Sequence, residues 1–294
     1  MSPSPIIITG CPRSGTKMMG RVFGALSQSH CLVSEHEDKQ AEIPEDESGV
    51  NDHQLWWDVF RYEKWDQKRS RPLVDIPTSD PAAISRIRNR YLEIAGNRRL
   101  VIKNPSHILY PEIVSQIFPD AKFVYCLRDP WTTLHSMTKS GRDGFLLRSP
   151  RAIADGASLL HQAAIGWSDA VSQLEKWKNE RWYVSRYESM LENPENEIQL
   201  MCEALELDDI DGFSDAIQIP KPSPNQHFYY IKKAYQKSTQ RDLIRQEVSI
   251  GSNRFQYANT PVSMPGTVVD HYRGKLRQKW QRFISGANSP RRAA

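Results

Sequence analysis

The sequence is short of cysteine, of periodic glycine and proline, and of long apolar segments. Its 294 residues include 4 cysteines, 15 glycines and 19 prolines, and 39% of them are hydrophobic. This composition excludes a collagen-like or largely disordered chain and is typical of a globular protein. Because the cysteines form no CxxC pair and have no histidine at metal-ligand spacing, we expect free thiols in a reducing compartment. They are Cys11, Cys31, Cys126 and Cys202.

The chain also lacks a strong charge of one sign. Lysine and arginine number 39 against 35 acidic residues, a formal net charge of +4. This excess suits an anionic small ligand but is too weak to indicate a nucleic-acid partner. No apolar segment approaches the roughly 20 residues that span a bilayer, and the N-terminus has no basic region of the kind that begins a signal peptide. We therefore expect a cytoplasmic protein without a membrane partner; the sequence does not predict its oligomeric state.

Short apolar segments alternate with segments of helical periodicity. Strands are predicted at residues 6–9, 31–34, 100–103, 122–127 and 182–185. Helices are predicted at residues 14–26, 81–95, 111–118 and 194–205, from residue 130, within 150–178, and through the aromatic residues from Trp56 to Trp65. The alternation predicts an α/β fold with a doubly wound parallel sheet of about five strands, flanked by helices. We assign residues 1–284 to a single domain and residues 285–294 to a flexible C-terminal tail.

A glycine-bounded loop, TGCPRSGTK at residues 9–17, joins the first strand to the first helix. Such a turn exposes backbone N–H groups at a helix N-terminus, where their partial positive charge favours a phosphate. Arg13 adds a cation, and Ser14 and Thr16 add hydroxyl donors. The loop therefore predicts a phosphate-binding site, with an ordinary strand-to-helix turn as the alternative.

The same loop departs from the Walker A pattern of nucleoside triphosphate-binding proteins. That pattern, GxxxxGK[ST], needs a lysine directly after the second glycine. Here Gly15 is followed by Thr16 and only then by Lys17. The sequence therefore disfavours a nucleoside kinase without excluding it.

A second candidate group lies at the end of the predicted strand 122–127. Arg128 follows this strand, at the sheet edge where α/β folds bind ligands. Ser136 lies about two helical turns further along, so both side chains could reach one phosphate. The alternative is that Arg128 pairs with Asp129 or another surface acid.

Together these motifs resemble the sulfotransferases that use 3′-phosphoadenosine 5′-phosphosulfate. The resemblance is carried by PRSGT at residues 12–16, by RDP with a serine at residues 128–136, by KNP and FPDAK within 103–122, and by YE and NP within 187–194. It covers residues 6–35 and 100–207 in the right order and spacing. It implies a P-loop-type sheet, with acceptor-binding insertions, and transfer of a sulfuryl group to a hydroxyl.

The resemblance also implies roles for individual residues. It assigns the 5′-phosphosulfate to Arg13, Ser14, Gly15, Thr16 and Lys17, the 3′-phosphate to Arg128 and Ser136, and the adenine to Tyr187. The family usually has a small hydroxyl residue where this chain has Lys17, so the resemblance leaves the role of Lys17 open. A faint likeness to the family's basic RKG segment lies at residues 272–275, which we interpret as an exposed basic helix.

The catalytic groups come from the same resemblance. One branch of the family uses a histidine base, and the tyrosylprotein and heparan-type branch uses a glutamate just after the second strand. Glu35 occupies that place and is the predicted base, with His36 and Glu37 as alternatives. Lys103 matches a lysine that stabilises the transferring group, unless it is merely a surface strand end. We expect no essential Mg²⁺, because a sulfuryl group carries less charge than a phosphoryl group and the sequence shows no metal-ligand cluster.

The acceptor is less specified than the donor. Its binding segments are expected outside the family motifs, at residues 36–80, 140–160 and 220–265. The glutamate-type site favours a carbohydrate or a small hydroxylated metabolite by analogy, while a peptide or an aromatic metabolite stays open. Two other classes also stay open: a kinase that uses ATP and Mg²⁺, and a non-catalytic nucleotide-binding protein of the same fold.

Overall fold

The fold is described from a computed structural model. It describes residues 3–26, 28–33, 64–66, 71–73, 80–139, 151, 157–207, 226–258 and 261. The predicted tail at residues 285–294 and the basic segment at 272–275 lie outside these ranges, so the domain boundary stays a prediction. The four cysteines are free thiols, as expected. Among the described helices, none is both long and apolar enough to cross a bilayer.

The centre of the fold is a parallel five-stranded sheet. The described strands are β1 Ile6–Gly10, β2 Ser29–Val33, β3 Lys64–Asp66, β4 Arg71–Leu73, β5 Arg99–Lys103, β6 Lys122–Leu127 and β7 Trp182–Arg186. The sheet order is β2-β5-β1-β6-β7, and every pairing in it is parallel. β5 and β2 lie on one side of β1, and β6 and β7 lie on the other. The chain therefore winds in both directions from β1, which is the doubly wound arrangement that the sequence predicts.

Helices cover both faces of this sheet. They are α1 Thr16–Gly24, α2 Pro81–Ala95, α3 Pro111–Ile117, α4 Pro130–Lys139, α5 Leu159–Trp177, α6 Tyr187–Glu192, α7 Pro194–Ala204, α8 Gln226–Lys237 and α9 Arg241–Phe255, with a 3-10 helix at Pro105–Leu109. Alternate strand residues enter opposite cores: Ile7 packs with the α2, α3, α4, α5 and α9 side, whereas Ile6 and Ile8 pack with the α1 and α7 side. A sheet buried on both faces needs apolar residues at consecutive positions, which explains the unbroken apolar runs of its strands.

One helix prediction was wrong at its C-terminal end. Trp65 lies in β3, which pairs antiparallel with β4 in a separate two-stranded sheet. Aromatic residues are favoured in strands as well as in helices, so the aromatic density of this segment did not distinguish the two. The other aromatic residues of that predicted helix lie outside the described ranges.

The parallel register brings the ends of neighbouring strands to one edge of the sheet. Gly10 lies opposite Cys126, and Leu127 lies opposite Arg186. The segments that follow β1, β6 and β7 therefore leave the sheet side by side. Because ligands of α/β folds bind at this edge, the topology places the glycine loop, Arg128 and Tyr187 where the sequence predicts a site.

Asp129 starts α4, the helix that carries Ser136. Its Oδ1 accepts a hydrogen bond from the Thr132 N–H at 2.8 Å, and its carbonyl accepts from the hydroxyls of Thr132 and Thr133 at 3.0 and 2.8 Å. The residue is buried, and burial, reinforced by the charge of Glu188, raises the pKa of its carboxyl to about 6. The cap is thus held in an environment that disfavours its ionised form.

We expect Asp129→Asn to change the pH dependence of stability. Well below pH 4, the Asp129 carboxyl of the wild type is protonated in both the folded and the unfolded protein. Between about pH 4 and 6 it is ionised in the unfolded chain but still mostly protonated in the folded protein. The free energy of unfolding therefore falls as the pH rises through this range. An asparagine cannot ionise, and its carbonyl can still accept from Thr132. From pH 4 to pH 7 the variant should therefore gain up to about 3 kcal/mol in unfolding free energy relative to the wild type, measured by denaturant titration.

The matched control is Asp80→Asn. Asp80 caps α2 in the same way, accepting from the Ala82 N–H at 3.0 Å, but at an exposed position. We expect a much smaller pH-dependent difference for this variant, because the carboxylate there stays in water. Equal pH dependence for the two variants would show that burial of Asp129 is not the cause.

Candidate functional site

The loop after β1 is shaped by a close approach of two strands. Gly10 has a φ of 140°, and a Cβ on it would lie 2.5 Å from the carbonyl oxygen of Cys126 on β6. Only glycine fits both the conformation and the space. The chain then turns, with the Ser14 N–H and hydroxyl both donating to the carbonyl of Cys11, at 3.1 and 2.6 Å. Arg13, at the outside of this turn, has a φ of 72° and is exposed.

A second glycine joins the loop to α6. Gly15 has a φ of 107° and precedes α1; a Cβ on it would lie 2.8 Å from Cδ2 of Tyr187. Gly15 has no side chain with which to cap the first turn of α1, and backbone N–H groups at a helix start attract anions. The loop therefore presents these groups directly beside an aromatic ring.

Arg13 is the centre of the contacts between the predicted site residues. Its Nε donates to the hydroxyl of Ser136 on α4 at 3.0 Å. Its carbonyl accepts from the Arg128 guanidinium, also at 3.0 Å. The structure thus brings Arg13, Arg128 and Ser136 together from segments that are far apart in sequence.

The guanidinium of Arg128 lies over an aromatic ring. Its guanidinium carbon is 4.2 Å from the ring centroid of Tyr187, a cation–π contact. Burial lowers the pKa of the guanidinium, although arginine stays charged at neutral pH. Asp129 does not form an ion pair with Arg128, since its carboxylate bonds the start of α4 instead. A partly desolvated cation that is not neutralised by its neighbouring acid is well suited to bind an anion.

Lys103 ends β5 beneath α1 and is completely buried. Its side chain packs against Gly20, where an added Cβ would lie 3.0 Å from the lysine Cγ. Its charge also partly offsets the effect of burial on the pKa of Cys126, which rises to about 12. The alternative of a surface strand end was therefore wrong, because the close approach of α1 covers this lysine.

The other loop residues differ in how accessible they are. Ser14 and Thr16 are buried, and Lys17 is half-buried in the first turn of α1. The Ser14 hydroxyl already donates to the turn itself. Burial raises the pKa of the Cys11 thiol, so this cysteine stays protonated and is a poor nucleophile.

Sequence reasoning gave no role to two residues beside this group, although Glu188 belongs to the YE motif quoted for the resemblance. Glu188 accepts from the Asp129 N–H at 2.9 Å through one oxygen and from the Tyr257 hydroxyl at 3.0 Å through the other. The position of Glu188 directly after Tyr187 was a usable signal. Tyr257 lies in a segment without clear periodicity, and no local pattern pointed to it.

The predicted base lies outside the described residues. Glu35 and its alternatives His36 and Glu37 follow the last described residue of β2. The predicted acceptor segments at residues 36–80 and 140–160 are described only in small part. Within the described ranges, no group of three or more histidine, cysteine or acidic side chains is arranged to hold a metal ion.

Two curated relatives share part of this sequence. They are the omega-hydroxy-beta-dihydromenaquinone-9 sulfotransferases Stf3 of Mycobacterium bovis and Mycobacterium tuberculosis, each 23% identical over 121 residues. The match covers 40% of this chain and 31% of each relative. The shared region thus spans about a third of the length of these relatives.

A solved structure shows the same fold over a larger part of the chain. The sulfotransferase domain from the curacin biosynthetic pathway superimposes with a TM-score of 0.51 and 15% identity. The superposition covers 87% of this chain and 98% of that domain. At this identity the likeness concerns the fold alone.

The sequence profile of the sulfotransferase family matches residues 5–211. This range is more than half of the chain, and it contains the glycine loop, Lys103, Arg128, Ser136 and Tyr187. The profile match and the five-stranded parallel sheet agree with the resemblance found in the motifs. On these grounds the chain belongs to the sulfotransferase family.

Proposed function

We propose that the protein transfers a sulfuryl group from 3′-phosphoadenosine 5′-phosphosulfate to a hydroxyl of a small acceptor. The observation that carries this proposal is the contact group around the glycine loop. Arg13 bonds Ser136, Arg128 bonds Arg13 and stacks on Tyr187, and Tyr187 adjoins Gly15. These are the residues to which the family resemblance assigns the two phosphate-bearing ends and the adenine of the donor.

The residues fit this donor chemically. A 3′-phosphate needs a cation and hydroxyl donors, which Arg128 and Ser136 supply on either side of Arg13. A 5′-phosphosulfate needs backbone N–H groups that can be approached closely, and Gly15 leaves the start of α1 open. The ring of Tyr187 offers an apolar surface between them, suited to an adenine.

The donor, when bound, supplies the sulfuryl group and leaves as adenosine 3′,5′-bisphosphate. We assign to Arg13, Lys103 and the loop N–H groups the stabilisation of the negative charge that grows on the 5′-phosphate side. Preorganised donors of this kind need no rearrangement at the moment of reaction. Glu35 is the proposed general base, which takes the proton from the acceptor hydroxyl. Catalysis would then consist mainly of positioning and electrostatics, as in phosphoryl transfer.

We further propose that the acceptor is a small hydroxylated metabolite or a carbohydrate. The curated relatives are named for a hydroxylated menaquinone, a small molecule, which supports the first class. One exposed ring lies beside the helix that carries Ser136: Tyr230 of α8 stacks on the buried His135 of α4 with centroids 5.8 Å apart. Tyr230 is 39% exposed and so can contact a ligand. We place the acceptor on this side of α4.

Nucleotide titration tests the proposed donor. We expect adenosine 3′,5′-bisphosphate to raise the melting temperature without added metal, because a ligand at about 100 times its Kd stabilises the folded state by roughly 2.7 kcal/mol. ATP with Mg²⁺ is titrated in parallel by the same thermal-shift measurement. A shift with ATP and Mg²⁺ alone would instead support the kinase alternative, and a shift with neither nucleotide would contradict the proposal.

Arg128→Ala should weaken binding of adenosine 3′,5′-bisphosphate by about 10- to 100-fold, as expected for the loss of a charged hydrogen-bonding group. The measurement is isothermal titration calorimetry. Arg21→Ala is the control, because it removes the same charge from an exposed position on α1. If both variants lose affinity equally, the effect is one of net charge and Arg128 does not bind the 3′-phosphate.

Glu35→Gln should lower kcat by at least about 100-fold, since general bases contribute 10²–10⁴ to rates, and should leave the bisphosphate Kd unchanged. The assay follows formation of adenosine 3′,5′-bisphosphate with an acceptor found by screening. Glu37→Gln is the matched control, with the same change two residues along. A loss of turnover in Glu37→Gln and not in Glu35→Gln would move the base to Glu37.

A further inference from the structure

A single carboxylate links three segments of the chain beside the proposed nucleotide site. Glu188, in the first turn of α6, accepts from the backbone N–H of Asp129 through Oε1 at 2.9 Å. Its Oε2 accepts from the hydroxyl of Tyr257 at 3.0 Å. Both oxygens therefore bind donors that come from distant parts of the sequence.

The two residues that stack in the site are the immediate neighbours of this link. Arg128 precedes Asp129, and Tyr187 precedes Glu188; the guanidinium of Arg128 lies 4.2 Å from the Tyr187 ring centroid. The pairing of β6 with β7 sets the register of the two backbones as far as Leu127 and Arg186. The hydrogen bond from the Asp129 N–H to the Glu188 carboxylate adds a further link just beyond it, one residue away from the cation–π contact. Losing it would let the Arg128 segment move relative to Tyr187.

The segment after α9 is itself firmly placed. The Arg186 guanidinium donates to the carbonyl of Phe255 at 2.8 Å and lies 5.2 Å from the ring centroid of Tyr257. The indole N–H of Trp131 donates to the carbonyl of Ala258 at 2.7 Å. The residues on both sides of Tyr257 in the chain are therefore hydrogen-bonded to the rest of the fold, and its hydroxyl is directed at Glu188.

The hydrogen bonds of Glu188 also affect which groups can bind Arg128. Burial and the nearby Glu188 raise the pKa of the Tyr257 hydroxyl, so it remains a proton donor at neutral pH. Glu188 does not form an ion pair with Arg128, although its charge acts on that guanidinium. With both oxygens engaged by Asp129 and Tyr257, the carboxylate is kept from competing for Arg128. The arginine charge is left for a ligand.

We propose that Glu188 and Tyr257 are positioning residues that hold Arg128 in the orientation that binds the 3′-phosphate of the donor. The proposal rests on the proposed function, and it adds the segment after α9 to the nucleotide site. Neither residue needs to touch the nucleotide. Their contribution is to preorganise a long, flexible side chain, which lowers the entropy lost on binding.

The test compares two nucleotides that differ only at the 3′ position. Kd values for adenosine 3′,5′-bisphosphate and adenosine 5′-phosphate are measured by calorimetry for the wild type and for Glu188→Ala, Glu188→Gln and Tyr257→Phe. We expect Glu188→Ala to weaken bisphosphate binding about tenfold and Tyr257→Phe about threefold, in line with one or two hydrogen bonds to a charged group. Binding of the monophosphate should change less than twofold.

Two comparisons separate positioning from general stability. Glu188→Gln should retain most of the affinity, since its carbonyl can accept from Asp129 and its amide can donate to the Tyr257 oxygen. Tyr183→Phe is the matched control: its hydroxyl donates to a different carboxylate, Glu197, at 3.2 Å, and its loss should leave both nucleotides unaffected. Melting temperatures identify any variant that fails to fold; the conservative Tyr257→Phe then carries the test.

A double-mutant cycle completes the experiment. If Glu188 acts through Arg128, Glu188→Ala should cause no further loss of bisphosphate affinity in an Arg128→Ala background. Additive losses, or equal losses for both nucleotides in Glu188→Ala, would overturn the inference while leaving the proposed function in place. If the wild type does not distinguish the bisphosphate from the monophosphate, the assigned role of Arg128 is wrong and the inference falls with it.

Discussion

The close approach of β1 and β6 at Gly10 is the constraint on which the site depends. A Cβ at this position would lie 2.5 Å from the Cys126 carbonyl, so the chain can leave β1 beside β6 only without a side chain. Because the strands are parallel and in register, Arg128 then leaves β6 next to the turn that carries Arg13, whose carbonyl it contacts. The contact with Ser136 follows, since α4 begins directly after this strand.

The parts of the fold that follow from local chemistry could be predicted from the sequence. After Lys122, the strand at residues 122–127 is an apolar run of the kind that a sheet covered on both faces requires, and β6 has these bounds. The start of α2 was predictable from Pro81, because a proline fits the first turn of a helix. Its cap, Asp80, became apparent only in the structure. The glycine loop was predictable as well, because its residue types have few other roles between a strand and a helix.

The parts that depend on contacts between distant segments could not be read in this way. Lys103 has the same sequence neighbours whether it ends a strand at the surface or beneath a helix; the packing of Gly20 decides that it is buried. The Tyr257–Glu188 bond joins residues 69 positions apart, and neither residue type indicates its partner. Local patterns therefore located the residues on the core strands, while the helices packed over them decided which side chains meet.

The charges around the site show why such distant contacts matter. Arg128, Asp129 and Glu188 lie close together and partly out of water, where each charge is costly unless it is bonded. Asp129 and Glu188 take their hydrogen bonds from backbone N–H groups and from the Tyr257 hydroxyl, and neither pairs with the arginine. The fold thus bonds both acids to neutral donors, and the guanidinium of Arg128 forms an ion pair with neither of them, so an anion could still bind it.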